Sequence, residues 1–177
     1  EPYLSEAIDS ILSQDIGFLE SVELILVDDG STDTSGAICD EYQHKYPENI
    51  VVIHKPNGGV ASARNAGIAV ARGRYVNFMD SDDKLTPDTL SSVYDFFIEH
   101  DKEVDLVSVP IFYFEQKNEP HRLNYKYASD KAQVINLTTH YSYVQMSSAS
   151  AFFKREVLND HTFDTSLRYA EDSKAIM

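Results

Sequence analysis

Cysteine occurs once in the 177 residues, at Cys39, which excludes an intrachain disulfide and a thiolate zinc site. In the pattern AICDEY it reads as a small core residue on a helix, and a lone thiol suits a reducing compartment. No apolar run approaches the roughly 20 residues that cross a bilayer. The opening EPYLSEAIDS has neither the basic nor the apolar region of a signal peptide, so secretion and an integral membrane segment are not expected. Basic residues are scarce, 15 against 29 acidic, for a net charge of −14. With no basic run interleaved with aromatics, nucleic acid is not an expected partner. The six histidines never fall at metal-ligand spacing, and the dinucleotide fingerprint GxGxxG is absent.

What is present is enough for one globular domain with a real core, 42% hydrophobic and free of low-complexity tracts. Leu4, Ile8, Ile11 and Leu12 share one helix face; VELILV, from Val22, is a short apolar strand; residues 31–34 offer caps for a helix running toward Tyr46. VVIH, from Val51, is a second strand. Gly58 and Gly59 open an alanine-rich helix reaching about Ala71, and YVNFM follows as a third strand. Thr86 and Pro87 suit the cap and first turn of a helix whose Leu90, Val93, Tyr94 and Phe97 face inward. LVSVPIFYF, from Leu106, reads as a further strand with Pro110 marking an edge or bulge. Residues 115–137 lose this pattern and read as a hairpin or excursion beside the sheet; SASAFF, around Ala151, looks like a returning strand, and a helix is expected to start near Glu171.

Repeated βα units with short apolar strands predict an α/β fold, a largely parallel sheet with helices on both faces. Ligands in such folds gather at the carboxyl ends of the strands. Those ends read VDDGSTD, HKPNGG and MDSDD, so three polar loops are expected along one edge.

The last of them packs three carboxylates, Asp80, Asp82 and Asp83, into four residues after a buried strand. Such a cluster repels itself unless a cation or several donors offset the charge. Mg²⁺ or Mn²⁺ suits the oxygen ligands and leaves room for a diphosphate, so Asp80-Ser81-Asp82 is a candidate metal and nucleotide element. The competing explanation is a solvated acidic turn that caps the next helix. An EF-hand loop fits poorly, because Lys84 and Leu85 stand where an oxygen ligand and a glycine belong. In VDDGSTD, Asp29 is placed to accept from a base or sugar, with Gly30 permitting the turn. Arg64 lies about a turn into the helix after the glycine pair, suited either to a phosphate or to a nearby acid. Glu171 and Asp172 form a last acidic pair, a general base or a helix cap. Asn136-Leu137-Thr138 matches a glycosylation sequon without any sign of secretion, and Tyr125, Tyr127, Tyr141 and Tyr143 divide between core packing and a sugar site.

Taken in order, EPYLSEAIDSILSQ, ELILVDDGSTDTS, NGGVASARNAGIAVARGRYVNFMDSDD and LRYAED resemble the family 2 glycosyltransferases of the GT-A fold, a Rossmann-like, mostly parallel sheet. The resemblance covers nearly the whole chain. It implies inverting transfer of a sugar from a nucleotide diphosphate, usually a UDP-sugar, aided by Mn²⁺ or Mg²⁺, to a glycan or lipid-linked acceptor. By the same resemblance Asp29 contacts the base with Asp28 beside it, Asp80 reaches the ribose or sugar, and Asp82 ligates the metal. Arg64 is then a donor-site residue and Asp172 the catalytic base.

Members normally begin with a strand ending in a PxYN-like segment, and many processive members carry a QxxRW-like segment on the acceptor side. Neither is found here, so residues 1–177 are expected to form a single catalytic domain lacking those two parts. The stretch from HRLNYKY to the ED pair resembles members that build bacterial surface polysaccharides or teichoic-type polymers, which implies a cytoplasmic site of action, up to the inner face of the membrane. Two alternatives stay open: a non-catalytic nucleotide-sugar binding or scaffold domain, and a nucleotidyltransferase, which the lack of a glycine-rich N-terminal signature disfavours.

Overall fold

A computed structural model describes residues 2–114, 120, 124, 131–140, 150–159 and 161–166. Helix α1 (Leu4–Leu12) buries Ala7, Ile8 and Ile11 on one stripe, as the apolar spacing predicts. A short helix, α2 (Phe18–Ser21), follows Gly17 and precedes β1 (Leu24–Asp28). Helix α3 (Ser35–Lys45) crosses over to β2 (Ile50–His54), which pairs parallel with β1 from Leu24 opposite Ile50 to Asp28 opposite His54. This is the expected βαβ unit, and its register brings both strands to their polar ends together.

Alternation along β1 covers both faces of this pair. Leu26 points into a core with Ile8, Ile11, Phe18, Cys39 and Ile50, from α1, α2, α3 and β2. Ile25 and Val27 point the other way, against α4 (Val60–Val70), where a Cβ on Gly67 would lie 3.7 Å from Val27. Cys39 is buried, and burial followed by the nearby Asp28 and Asp40 charges pushes its thiol up to about 11, so it stays protonated.

A second, three-stranded sheet contains β3 (Tyr75–Asn77), β4 (Leu106–Ser108) and β5 (Ala151–Lys154), with β5 in the middle and antiparallel to both neighbours. Helix α5 (Thr89–Glu99) lies between β3 and β4 in sequence, and α6 (Arg155–Asn159) follows β5 directly. All four residues of β5 are buried, because each of its faces is covered. Ala151 and Phe153 join Ala61, Phe78, Leu158 and Phe163, while Phe152 joins Val93, Phe97 and Val104. Full burial of each such phenylalanine contributes about 1.5–3 kcal/mol.

Several sequence expectations need correction. Helix α5 begins at Thr89 with Asp88 in the cap position, not at Thr86 and Pro87; Thr86 Oγ1 instead bonds to Asp88 and Thr89 side chains. Its Val93 and Phe97 are buried as expected, but Tyr94 is 44% exposed and meets Tyr75 only edge-on. The strand starting at Leu106 ends at Ser108, short of Pro110, and Phe112 makes a lone bridge to Pro120. The returning strand at Ala151 is present, yet it inserts against the direction of its neighbours. Asn136 folds onto its own turn, its Oδ1 accepting from Thr138 N and Oγ1. Tyr125, Tyr127, Tyr141, Tyr143, Glu171 and Asp172 lie outside the described residues, as does the helix expected near Glu171.

Candidate functional site

The parallel pair delivers Asp28 and Asp29 from β1, and His54 and Lys55 from β2, to the same edge. Asp28 Oδ1 accepts from Ser31 N at 2.9 Å, and its Oδ2 lies 2.9 Å from His54 Nδ1. These bonds, from Ser31 first and His54 next, hold the Asp28 carboxyl at about 2. Helix α3 starts close by: a Cβ on Gly36 would lie 2.9 Å from Asp28 Oδ2. On its far side the His54 ring places Nε2 2.9 Å from Asp40 Oδ1 on α3.

Asp29 is held by the second loop. It forms an ion pair with Lys55, and it accepts from Gly58 N at 3.0 Å and Gly59 N at 2.7 Å. Burial alone would raise its pKa, but Lys55 and the two backbone N–H groups outweigh it and the net displacement is downward. Gly30 and Gly59 both have φ near +80°, and a Cβ on Gly30 would stand 2.8 Å from Asn57 N. The glycines therefore allow the two loops to touch and α4 to start where it does. A carboxylate has about four lone-pair positions, so three donors leave Asp29 room for one more.

Helix α4 carries Arg64 and Asn65 toward the third loop. Arg64 Nη2 reaches Asp80 Oδ1 at 3.3 Å, and its guanidinium lies 5.3 Å from the centre of the Phe163 ring. The loop itself turns on an Asp83 N to Asp80 O bond of 3.0 Å. Asp80 and Asp82 are exposed, whereas Asp83 is half-buried; burial first, then the Asp80 and Asp82 charges, push its carboxyl up. Among the described residues no group of three or more His, Cys, Asp or Glu side chains could hold a metal ion unaided. The donors present are all carboxylate oxygens. That set fits a hard divalent cation that completes its shell with water and a diphosphate, not one caged by protein alone.

Two contact groups result, Asp28 and Asp29 with the loops around Ser31 and Gly58, and Arg64 with Asp80; helix α4, which starts from the loop of Gly58 and Gly59, carries Arg64, and Asp82 lies on the same turn as Asp80. The family profile described as Glycosyl transferase family 2 matches residues 1–162. The chain belongs to glycosyl transferase family 2. Within the family, Minor teichoic acid biosynthesis protein GgaB of Bacillus subtilis (strain 168) is 44% identical over 176 residues, 99% of this chain and 19% of GgaB. GgaA of the same organism, also a Minor teichoic acid biosynthesis protein, is 37% identical over 98% of this chain and 39% of its own length. Among solved structures, S. aureus TarS 1–349 in complex with UDP-GlcNAc matches with a TM-score of 0.78 at 27% identity, over 99% of this chain and 50% of that one. This family 2 chain therefore has the α/β, GT-A architecture expected from its sequence, and it spans well under half the length of the two curated relatives.

Three contributors to the site were not singled out from sequence. Lys55 neutralises Asp29, His54 bridges Asp28 to Asp40, and Phe163 backs Arg64. Their only sequence signal is position at the end of β2 for the first pair; Phe163 gives none. Gln14, 4% exposed, also escaped notice: it donates to Ser10 O and Thr86 O and accepts from Leu90 N, fixing the loop that follows Asp83.

Proposed function

We propose that this chain binds the nucleotide-sugar donor and carries the catalytic residues of an inverting glycosyltransferase that builds a bacterial surface glycan. The observation that carries the proposal is the ion pair of Arg64 with Asp80 beside Asp82, with Arg64 on the helix that starts from the loop of Gly58 and Gly59 anchored on Asp29. A −14 chain repels a diphosphate, so the few cations it places at this edge, with a metal, are what make donor binding feasible. The name of TarS with UDP-GlcNAc supports a UDP-sugar donor, and those of GgaB and GgaA support a teichoic-type acceptor, glycan or lipid-linked. No helix among the described residues is long and apolar enough to cross a membrane, which is compatible with action in the cytoplasm or at its membrane face.

In this assignment Asp29 contacts the base with Asp28 beside it, Asp80 reaches the ribose or the donor sugar, Arg64 faces the diphosphate, and Asp82 would ligate Mn²⁺ or Mg²⁺. When bound, that ion offsets charge on the departing diphosphate. Asp172 takes the proton of the acceptor hydroxyl as its oxygen bonds to the anomeric carbon and the bond to the diphosphate breaks, inverting that centre. Calorimetric titration of UDP and GDP, each with Mn²⁺ and with EDTA, tests the donor half. Metal-dependent, UDP-selective binding is expected; a GDP preference removes the UDP assignment, and binding of neither removes the donor site. Release of UDP from a UDP-sugar in the presence of acceptor tests the transfer.

A further inference from the structure

We propose that Phe163 is a positioning residue that aims Arg64 at the donor diphosphate, an inference that rests on the donor site assigned above. Phe163 is 4% exposed and lies far from Arg64 in sequence. Its ring stands edge-on to Phe78, with centroids 5.0 Å apart and an interplanar angle of 87°, and carries the Arg64 guanidinium 5.3 Å from its centre. Its backbone is gripped from the adjoining position on α4. Asn65 Nδ2 donates to Phe163 O at 2.9 Å, and Phe163 N donates to Asn65 Oδ1 at 2.9 Å, a two-point bond between residues 98 apart in sequence.

The arrangement is closed in both directions. Asn65 fixes the Phe163 backbone, the Phe163 ring supports the side chain of the residue before Asn65, and the guanidinium turns its Nη2 to Asp80. Arg64 is a long, flexible side chain that would otherwise sample many rotamers over a helix face, and a donor would have to order it on binding. With the Phe163 ring beneath it, the Arg64 side chain is only 11% exposed and is held between that ring and Asp80. Phe78 lies two residues before Asp80, so the same ring also sets the distance from α4 to the acidic turn. Were Phe163 only filler between α4 and the end of β3, its loss would weaken the fold without acting through Arg64.

UDP titration in Mn²⁺ of the wild type, Phe163→Leu, Arg64→Met and the double variant separates the two roles. Leucine retains an apolar side chain but has no π face. Phe163→Leu is expected to weaken UDP binding about three- to tenfold when Arg64 is present, and to have no further effect in the Arg64→Met background. Asn65→Asp replaces the amide donor by an acceptor facing Phe163 O, and the same non-additivity with Arg64→Met is expected; it carries the test if Phe163→Leu does not fold by circular dichroism. Losses that simply add overturn the proposal. So does an Arg64→Met variant that binds UDP like the wild type, which leaves the donor site itself standing. A wild type that binds no UDP overturns both.

Discussion

The two acidic loops of the site are neutralised by different means. At the end of β1, Asp28 and Asp29 are met by Ser31, His54, Lys55 and the N–H groups of Gly58 and Gly59, and both pKa values lie below the ordinary carboxylate range. At the 80–83 turn, Asp80 has Arg64 at 3.3 Å, Asp82 is exposed with no hydrogen-bond or ion-pair partner among the described residues, and Asp83 is pushed up. The first loop is complete in the protein alone and serves as a preformed wall. The second keeps surplus negative charge that an external cation would offset. Stability and ligand affinity should therefore separate between them.

The largest expected effect breaks that comparison on the ligand side. Asp82→Ala should lower sugar transfer by about 100-fold or more while leaving urea unfolding little changed, because the exposed carboxylate has no hydrogen-bond or ion-pair partner among the described residues and only its charge reaches Asp83. Steady-state rates at saturating Mn²⁺ beside an unfolding curve check both halves. A variant with normal turnover would remove Asp82 from the metal site.

Asp29→Ala should do the reverse in stability. It strands Lys55 and the Gly58 and Gly59 N–H groups, all held by a carboxylate only 18% exposed, and should cost about 1–3 kcal/mol in urea unfolding. UDP binding should fall with it, since the KPNGG loop loses its anchor. Unchanged stability would mean that water replaces the carboxylate at no cost and that the wall is not preformed.

The split between the loops also marks what the sequence could reveal. Period and punctuation located α1, β1, α3, β2 and α4, because each of them is a local pattern bounded by glycine or polar residues. The same rules put the polar loops at the strand ends. The partners that tell the loops apart were not legible. Lys55 to Asp29 and Asn65 to Phe163 depend on long-range register, and a polar residue in a loop gives no sign of which backbone it will meet. The reversed direction of β5 was hidden for a related reason: Ala151–Lys154 is too short, and too uniformly apolar, to show which way it runs. Tyr94 was misplaced because i, i+3, i+4 spacing fixes the stripe but not its edge, and α5 turns that edge to solvent.

A smaller effect sharpens the comparison at Asp83. Its folded pKa is raised, so ionised Asp83 opposes folding at neutral pH, and stability recovers as pH falls through the folded value toward the unfolded 3.8. In EDTA, Asp83→Asn should raise the melting temperature at pH 7 slightly and remove that recovery on acidification. Mn²⁺ should narrow the gap between wild type and variant if the cation sits at this turn. An identical gap with and without Mn²⁺ would place the cation elsewhere.

The smallest expected effect belongs to His54, whose two ring nitrogens each face a carboxylate, Asp28 on β1 and Asp40 on α3, at 2.9 Å. Both nitrogens can donate only in the imidazolium, so these carboxylates, Asp28 first, raise its pKa. A raised folded value means that the contribution is complete below the unfolded value of 6.5 and is lost as pH rises through the folded one. Asp28 runs oppositely: with its pKa at about 2 against 3.8 unfolded, its share is present above 3.8 and lost on acidification. The tie between β1, β2 and α3 is therefore tightest between these limits. Wild-type melting temperature should fall more steeply than that of His54→Gln between pH 6.5 and 8.5. Because the His54 side chain is 48% exposed, high salt should shrink the difference. Parallel pH profiles would show that the bridge is neutral throughout, with one ring nitrogen donating and only one of Asp28 and Asp40 satisfied by His54 at a time.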